Sequence, residues 1–260
     1  MTPQKLALEE VKKLQMEILS EVDKFCKENK LCYSLSFGTL IGAIRHKGYI
    51  PWDDDIDIMM PRPDYDKFIN NFDGYHPDLK LLNSYNDDCY YKSFSKVYNN
   101  RTKFVAYNYR GGVFIDIFPI DGLPSKESID QFIKEKREVE IGLWRSSKIY
   151  KCADNKTKAF LTYCIKKIIF PSRKTAIKRL NNFAQKWSFT KYSLATSSWH
   201  GRNYLPKKDF YDTIPMDFEN YRFMCIKEYD KFLKLIYGDY MTLPPEDEQH
   251  PHHKIVYYWK

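Results

Sequence analysis

No run of about 20 uncharged apolar residues occurs in the 260-residue chain, so a helical membrane span is not expected. Cysteine is sparse: the six, at 26, 32, 89, 152, 164 and 225, form no CxxC pair. Neither a disulfide framework nor a cysteine zinc site is expected, and reduced thiols in a cytosol are the plain reading. The opening residues MTPQKLALEEVKKLQ lack the apolar core and cleavage site of a secretory signal. There is also no internal repeat or low-complexity tract. The composition, 43% apolar with 17% aromatic and 29% charged residues, supplies a packed core and is wrong for a disordered chain. The length suits one elaborated domain with an appended lobe.

Positive charge is concentrated in one stretch. Between Arg145 and Tyr192 thirteen Lys or Arg face a single acid, Asp154, which leaves the rest of the chain a net −4 of the total +8. A basic lobe attracts polyanions by steering and counterion release. Anionic lipid, a phosphorylated glycan and nucleic acid all qualify, and no recognition motif supports nucleic acid. Within the lobe, KAFLTYCIKKII (Lys158–Ile169) spaces Phe160, Cys164 and Ile168 four apart beside Leu161 and Ile165. That stripe suits a helix lying on a membrane or one packed on the body. If it is a membrane face, reversing Lys166, Lys167, Arg173 and Lys174 weakens binding to anionic liposomes.

Periodicity predicts a mixed α/β (α+β) chain. Val11, Leu14, Ile18, Val22 and Phe25 recur at helical steps within residues 3–28, and Asn29 can end that helix. A strand is predicted over 31–36, a short glycine-opened helix over 38–46, a strand over 56–60 and a helix over 63–72. Further strands are predicted near 79–84, 92–98 and 113–118. A Ser128-x-x-Gln131 capping box opens a helix over 128–147, followed by helices over 156–169, 173–187 and 226–237, the last closed by Gly238. The tail reads as irregular chain wrapping the surface. The organisation expected is a catalytic core over 1–144, a basic helical lobe over 145–192 and a C-terminal part, 193–260, completing the core.

The chemistry is crowded into the first half. Gly38-Thr39 is followed by Asp55-Ile56-Asp57, and carboxylates at i and i+2 of a strand share a face. Side by side they repel, and a hard divalent cation, Mg2+ or Mn2+, compensates them. The glycine at a helix start lets backbone approach a phosphate. Asp116, inside the apolar run VFIDIF, is costly to bury without a partner and is the candidate third carboxylate. Asp121, before Gly122, is expected in a structural turn. Asp53, Asp55 and Asp57 fit the first positions of an EF-hand loop, but Ile58 stands where glycine is required and Asp64 where glutamate is, so that loop is rejected. Met59 weakens a phosphatase-like reading. A sugar-nucleotide glycosyltransferase with an Asp-x-Asp metal site stays open. His250, His252 and His253 are read as surface or acceptor contacts rather than a zinc site, and Tyr33, Phe37 and Phe94 as core.

The stretch SFGTLIGAIRHKGYIPWDDDIDIMMPRPDYDKF (Ser36–Phe68) resembles the signature of the LicD family, phosphocholine and related phospho-alcohol transferases similar to fukutin-type proteins. The resemblance continues through KSFSKVYNNRT (Lys92–Thr102), FIDIFPIDGLP (Phe114–Pro124) and YGDYMTLPP (Tyr237–Pro245), with 145–192 only loosely matched. It implies a nucleotidyltransferase-like core with a mixed sheet, flanking helices and a basic helical lobe. It also implies transfer of phosphocholine from CDP-choline to a hydroxyl of a cell-surface glycan precursor of teichoic acid or lipopolysaccharide type, releasing CMP. Ribitol, glycerol or ethanolamine phosphate are alternative cargoes. Carried onto this chain, Asp55, Asp57 and Asp116 hold the metal, and Gly38 and Thr39 cradle donor phosphate. Arg45 and Lys96 neutralise phosphate oxygens, and Trp52 stacks on the base or the choline ammonium. The expected setting is the cytoplasm, at the inner membrane face, with a lipid-linked glycan as acceptor.

Overall fold

The computed structural model describes residues 4–104, 111–148, 172–197, 203–251 and 255–260, together with Thr157, Phe160, Leu161, Cys164 and Ile165. Lys166, Lys167, His252, His253 and most of the helix expected over 156–169 lie outside the described residues.

The elements alternate as the periodicity predicts. Helix α1 (Leu8–Glu28) buries Val11, Leu14, Ile18, Val22 and Phe25, the stripe read from sequence, and ends at Asn29. Strand β1 (Ser34–Leu35), helix α2 (Phe37–Ile41) and a π-helical turn (Gly42–His46) lead to β2 (Asp57–Pro61) and α3 (Arg62–Asn71). Strands β3 (Leu79–Leu82), β4 (Ser95–Asn99), β5 (Thr102–Phe104) and β6 (Phe114–Leu123) follow. Helices α4 (Ile129–Ser146) and α5 (Arg173–Lys186), strands β7 (Leu194–Thr196), β8 (Leu205–Pro206), β9 (Thr213–Phe218) and β10 (Tyr221–Ile226), helix α6 (Tyr229–Tyr237) and β11 (Tyr257–Trp259) complete the described chain.

Among the described residues seven strands form the main sheet, in the order β1-β2-β6-β4-β3, with β7 on the far part of β6 and β8 beside it. The sheet is mixed: β2 and β6 are parallel, and the other pairs are antiparallel. All ten residues of β6 are buried, as a central strand covered on both faces requires. The β2–β6 register sets Asp57 opposite Asp116 and Pro61 opposite Ile120. A second apolar cluster joins Phe132 and Leu143 of α4 to Leu180 and Phe183 of α5 around Trp187. The two helices thus share a core of their own across the 144/145 boundary. No helix among the described residues is long and apolar enough to cross a membrane.

Three local expectations are corrected, and one hairpin is added. Strand β6 runs on to Leu123, so Asp121 stands in a strand and not in a turn; a buried bidentate pair with Arg62 neutralises it there. The Ser128 capping box does not form: α4 is entered through a 3-10 turn, and the Ser128 hydroxyl bonds that of Ser125. The tail is not wholly irregular, because β11 pairs with β5. The β9–β10 hairpin, which the sequence reading passed over, turns at Glu219, and its Oε1 accepts the Tyr49 N–H at 3.0 Å.

Candidate active site

One cavity of about 1160 Å3 opens where the N-terminal end of β2, the middle of β6 and the start of α2 converge. Asp53, Asp55, Asp57 and Asp116 line it, with Gly38, Arg45, Trp52 and Lys96. Seven of the eight side chains or glycines chosen from sequence therefore meet in one place, and the eighth, Thr39, does not. Thr39 is buried, and its hydroxyl accepts the Asp57 N–H at 2.8 Å. It fixes Asp57: with the Ser36 N–H bonded to the Asp57 carbonyl at 2.9 Å, both backbone groups of this aspartate are held.

Asp55 lies two residues before the strand begins, while Asp57 is its first residue. The shared face expected of the pair survives, since both line the cavity. Asp116 sits beside Asp57 across the parallel ladder and opposite Lys96 across the antiparallel one. The Lys96 ammonium bonds Asp116 Oδ1 and lies 3.5 Å from the centroid of the Phe114 ring. Lys96 is thus a buried partner of Asp116 on the cavity wall. Burial pulls its pKa down, and the carboxylates of Asp116, Asp57 and Asp55 pull the other way.

The acids show the strain of like charges in a dry place. Burial, then Asp55, push the Asp53 carboxyl up to about 8. Burial, then Asp55, Asp116 and Asp53, raise Asp57 well above the usual carboxylate range. Carboxylates in excess of Lys96, all hard oxygen donors, fit a divalent cation of the Mg2+ or Mn2+ class. Asp53, Asp54 and Asp55 bring one oxygen each within 4.8 Å of one another. Asp55, Asp57 and Asp116 do not meet that spacing. Asp54 does not line the cavity; the carboxylates that do are Asp53, Asp55, Asp57 and Asp116 and, from the C-terminal part of the chain, Asp239 and Glu248.

Gly38 is needed for a steric reason: a Cβ there would lie 2.7 Å from Asp53 Oδ2. The preceding Phe37 sits at φ 48, in a region that costs a bulky residue about 1–3 kcal/mol. Packing holds it, edge-on to Phe118 with centroids 5.2 Å apart. Trp52 stands edge-on to His46 at 6.4 Å. Arg45 differs from its expected role: Nη1 donates to the carbonyls of Tyr240, at 2.7 Å, and Thr242, at 3.3 Å.

The sequence reading missed Asp53 as a cavity residue, though it belongs to the run Asp53-Asp54-Asp55 that drew attention to the site. It also missed the wall opposite the acids, formed by Tyr237, Tyr240, Leu243 and Glu248. Burial and the charges of Asp57, Asp53 and Asp55 raise the Tyr237 phenol, which places the wall against the acid cluster. The signal was the stretch YGDYMTLPP, given no role by its residue types. In the basic stretch Arg173 is half-buried, and its Nη2 donates to the carbonyls of Ser84, Asp87 and Tyr90.

The profile of the family described as LicD/FKTN/FKRP, nucleotidyltransferase domain, matches residues 30–152. That span carries β1, β2, β4 and β6 and with them the acid cluster. The chain is 32% identical over 259 residues to the lipopolysaccharide cholinephosphotransferase LicD of Haemophilus influenzae, covering 96% of this chain and 97% of that protein. Shorter matches, 40% identical over 42 residues and covering 16% of this chain, reach uncharacterized proteins of Rickettsia prowazekii (16% of its length) and Rickettsia typhi (14%). A likeness that runs nearly end to end, through strands, acids and cavity wall alike, makes this chain a member of the LicD family.

Proposed function

We propose that this protein transfers phosphocholine from CDP-choline to a hydroxyl of a cell-surface glycan precursor, of lipopolysaccharide or teichoic acid type, and releases CMP. The observation that carries the reading is the gathering of Asp53, Asp55, Asp57 and Asp116 on one cavity, in a chain collinear with a cholinephosphotransferase. Asp55 and Asp57, with Asp116 as third carboxylate, would hold Mg2+ or Mn2+. When bound, the cation offsets charge on the donor diphosphate and on the departing CMP.

The residues of the chain supply the rest by position and charge. Asp116 accepts the proton of the acceptor hydroxyl, within hydrogen-bond reach of the cavity. Lys96 keeps Asp116 in one orientation throughout. The acceptor oxygen bonds to the choline-bearing phosphorus as the bond from that phosphorus to CMP breaks, so a phosphodiester forms. Gly38 leaves room for the donor beside Asp53, and Trp52 offers an aromatic face to the base or to the choline ammonium.

The acceptor is proposed to be lipid-linked, met at the cytoplasmic face of the inner membrane. Support comes from the basic stretch, where Lys174, Lys178 and Arg179 are exposed on α5 and Trp144 is exposed at the end of α4. Reversing the charges of Lys174, Lys178 and Arg179 is expected to weaken co-sedimentation with phosphatidylglycerol vesicles at low salt. Unchanged co-sedimentation removes this part of the reading.

The deciding experiment incubates the protein with CDP-choline, CDP-ethanolamine, CDP-glycerol and CDP-ribitol, with and without chelator, and a glycan acceptor. The expected outcome is chelator-sensitive CMP release, fastest with CDP-choline, and a new phosphodiester by phosphorus NMR. Release fastest with another donor reassigns the cargo. No release from any of them, or a glycosidic product from a sugar nucleotide, overturns the reading.

A further inference from the structure

Arg45 lies seven residues after Gly38, on the π-helical turn Gly42–His46. Such turns widen a helix by one residue and re-aim the side chains that follow. Here the His46 ring stands edge-on to Trp52, and the Arg45 guanidinium bridges His46 to chain nearly 200 residues away. Its Nη1 donates to the Tyr240 and Thr242 carbonyls, and its Nε donates to His46 Nε2 at 2.9 Å.

The Tyr240–Thr242 segment is shaped from two other sides. Gly238, at φ 68, reverses the chain at the end of α6. The Tyr240 hydroxyl then donates to Asp230 Oδ1 at 3.0 Å, and Asp239 accepts the Thr242 hydroxyl at 2.6 Å. These bonds shape the segment within its own part of the chain. Arg45 ties it to the part that carries Gly38 and the acids. Tyr240, Thr242 and Leu243 line the cavity; Tyr240 packs into the main core, whereas Met241 and Leu243 are about half exposed, so beyond Tyr240 apolar packing restrains the segment weakly. A cation donating to two carbonyls makes bonds stronger than neutral ones.

We infer that Arg45 is a positioning residue that holds the Tyr240–Leu243 wall of the cavity against the acid cluster, and not a ligand of donor phosphate. The wall then forms one side of the donor site, and its order depends on a side chain of the opposite side. The kinetic part of the test rests on the donor reading given above; the structural part does not.

The test uses the full chain and three variants: Arg45→Gln, Tyr240→Phe and the double substitution. Glutamine keeps a donor and removes the charge. Hydrogen exchange reads the wall directly, and CMP release from CDP-choline reads the site. In Arg45→Gln the amides of residues 240–243 are expected to exchange about tenfold faster, the worth of one charge-assisted hydrogen bond. The KM for CDP-choline should rise by about tenfold with kcat held within about threefold, as for a lost interaction common to ground and transition states. The double variant should fall short of the product of the two single effects, because both act through one segment. Wild-type exchange at 240–243 in Arg45→Gln overturns the inference, and a raised KM beside it assigns Arg45 to the donor. If no CDP-alcohol is turned over by the wild-type chain, the donor reading fails by itself, and exchange alone decides the role of Arg45.

Discussion

Strand β6 carries two buried aspartates five residues apart, and they have opposite fates. Asp121 is 2% exposed and locked to Arg62 by two bonds of 2.7 and 2.9 Å, with Arg62 itself 8% exposed. Asp116 is also buried, at 8% exposed, but opens on the cavity, paired with Lys96 on one side and set beside Asp57 on the other. At one end the charges balance within the fold, and Arg62 and Asp121 satisfy each other. At the other, carboxylates outnumber the cation that faces them, and the fold leaves the imbalance open to a ligand. A buried charge inside an apolar strand marks a constraint of either kind. The partner count, not the burial, separates structure from chemistry.

Three substitutions bear on that comparison. The largest effect is expected at the unbalanced end: Asp57→Asn should lower CMP release by about a thousandfold, the scale of losing a main electrostatic group. Its Tm without added cation should hold or rise, by about 2–4 °C for each kcal/mol of repulsion relieved. Activity within tenfold of wild type would break the contrast. At the balanced end Asp121→Asn leaves the buried Arg62 only the longer contact with the half-exposed Asp66, 3.6 Å from Nη1, which costs about 3 kcal/mol and should lower Tm by roughly 10 °C. Any protein that survives should retain the KM of the wild type. A specific rise in KM without loss of Tm would show that this pair serves the site. The smallest effect sharpens the boundary: Thr39→Val removes the acceptor of the Asp57 N–H, at about 1–2 kcal/mol. It should reduce kcat more than affinity for the donor, and steady-state kinetics beside thermal melts separate the two.

Much of this was legible in the chain itself. The stripe of α1 and the alternation of short apolar runs predicted the helices and strands, since burial of one face imposes its period on the sequence. The acid pair and Asp116 were legible because ionised groups in apolar runs are rare without a reason. Elements failed to be legible where a distant partner decided them. Pairing with β7 carries β6 through Asp121 to Leu123, and the β5 edge orders the tail as β11. Asp53 was hidden because it lies outside any strand, and only the folded chain sets it against Gly38, fifteen residues earlier. Arg45 and Lys96 stand on the cavity as read, but the partners that hold them were not legible, because these come from another strand and from residues 240–242.

The sequence by itself therefore determined the element types, the acid cluster and the family, all of which depend on residue type and local spacing. Tertiary structure alone decided the register that puts Asp57 beside Asp116, the partner of each buried cation and the wall that closes the cavity. These are pairings between chain segments 20 to nearly 200 residues apart, and no local period encodes which segment meets which.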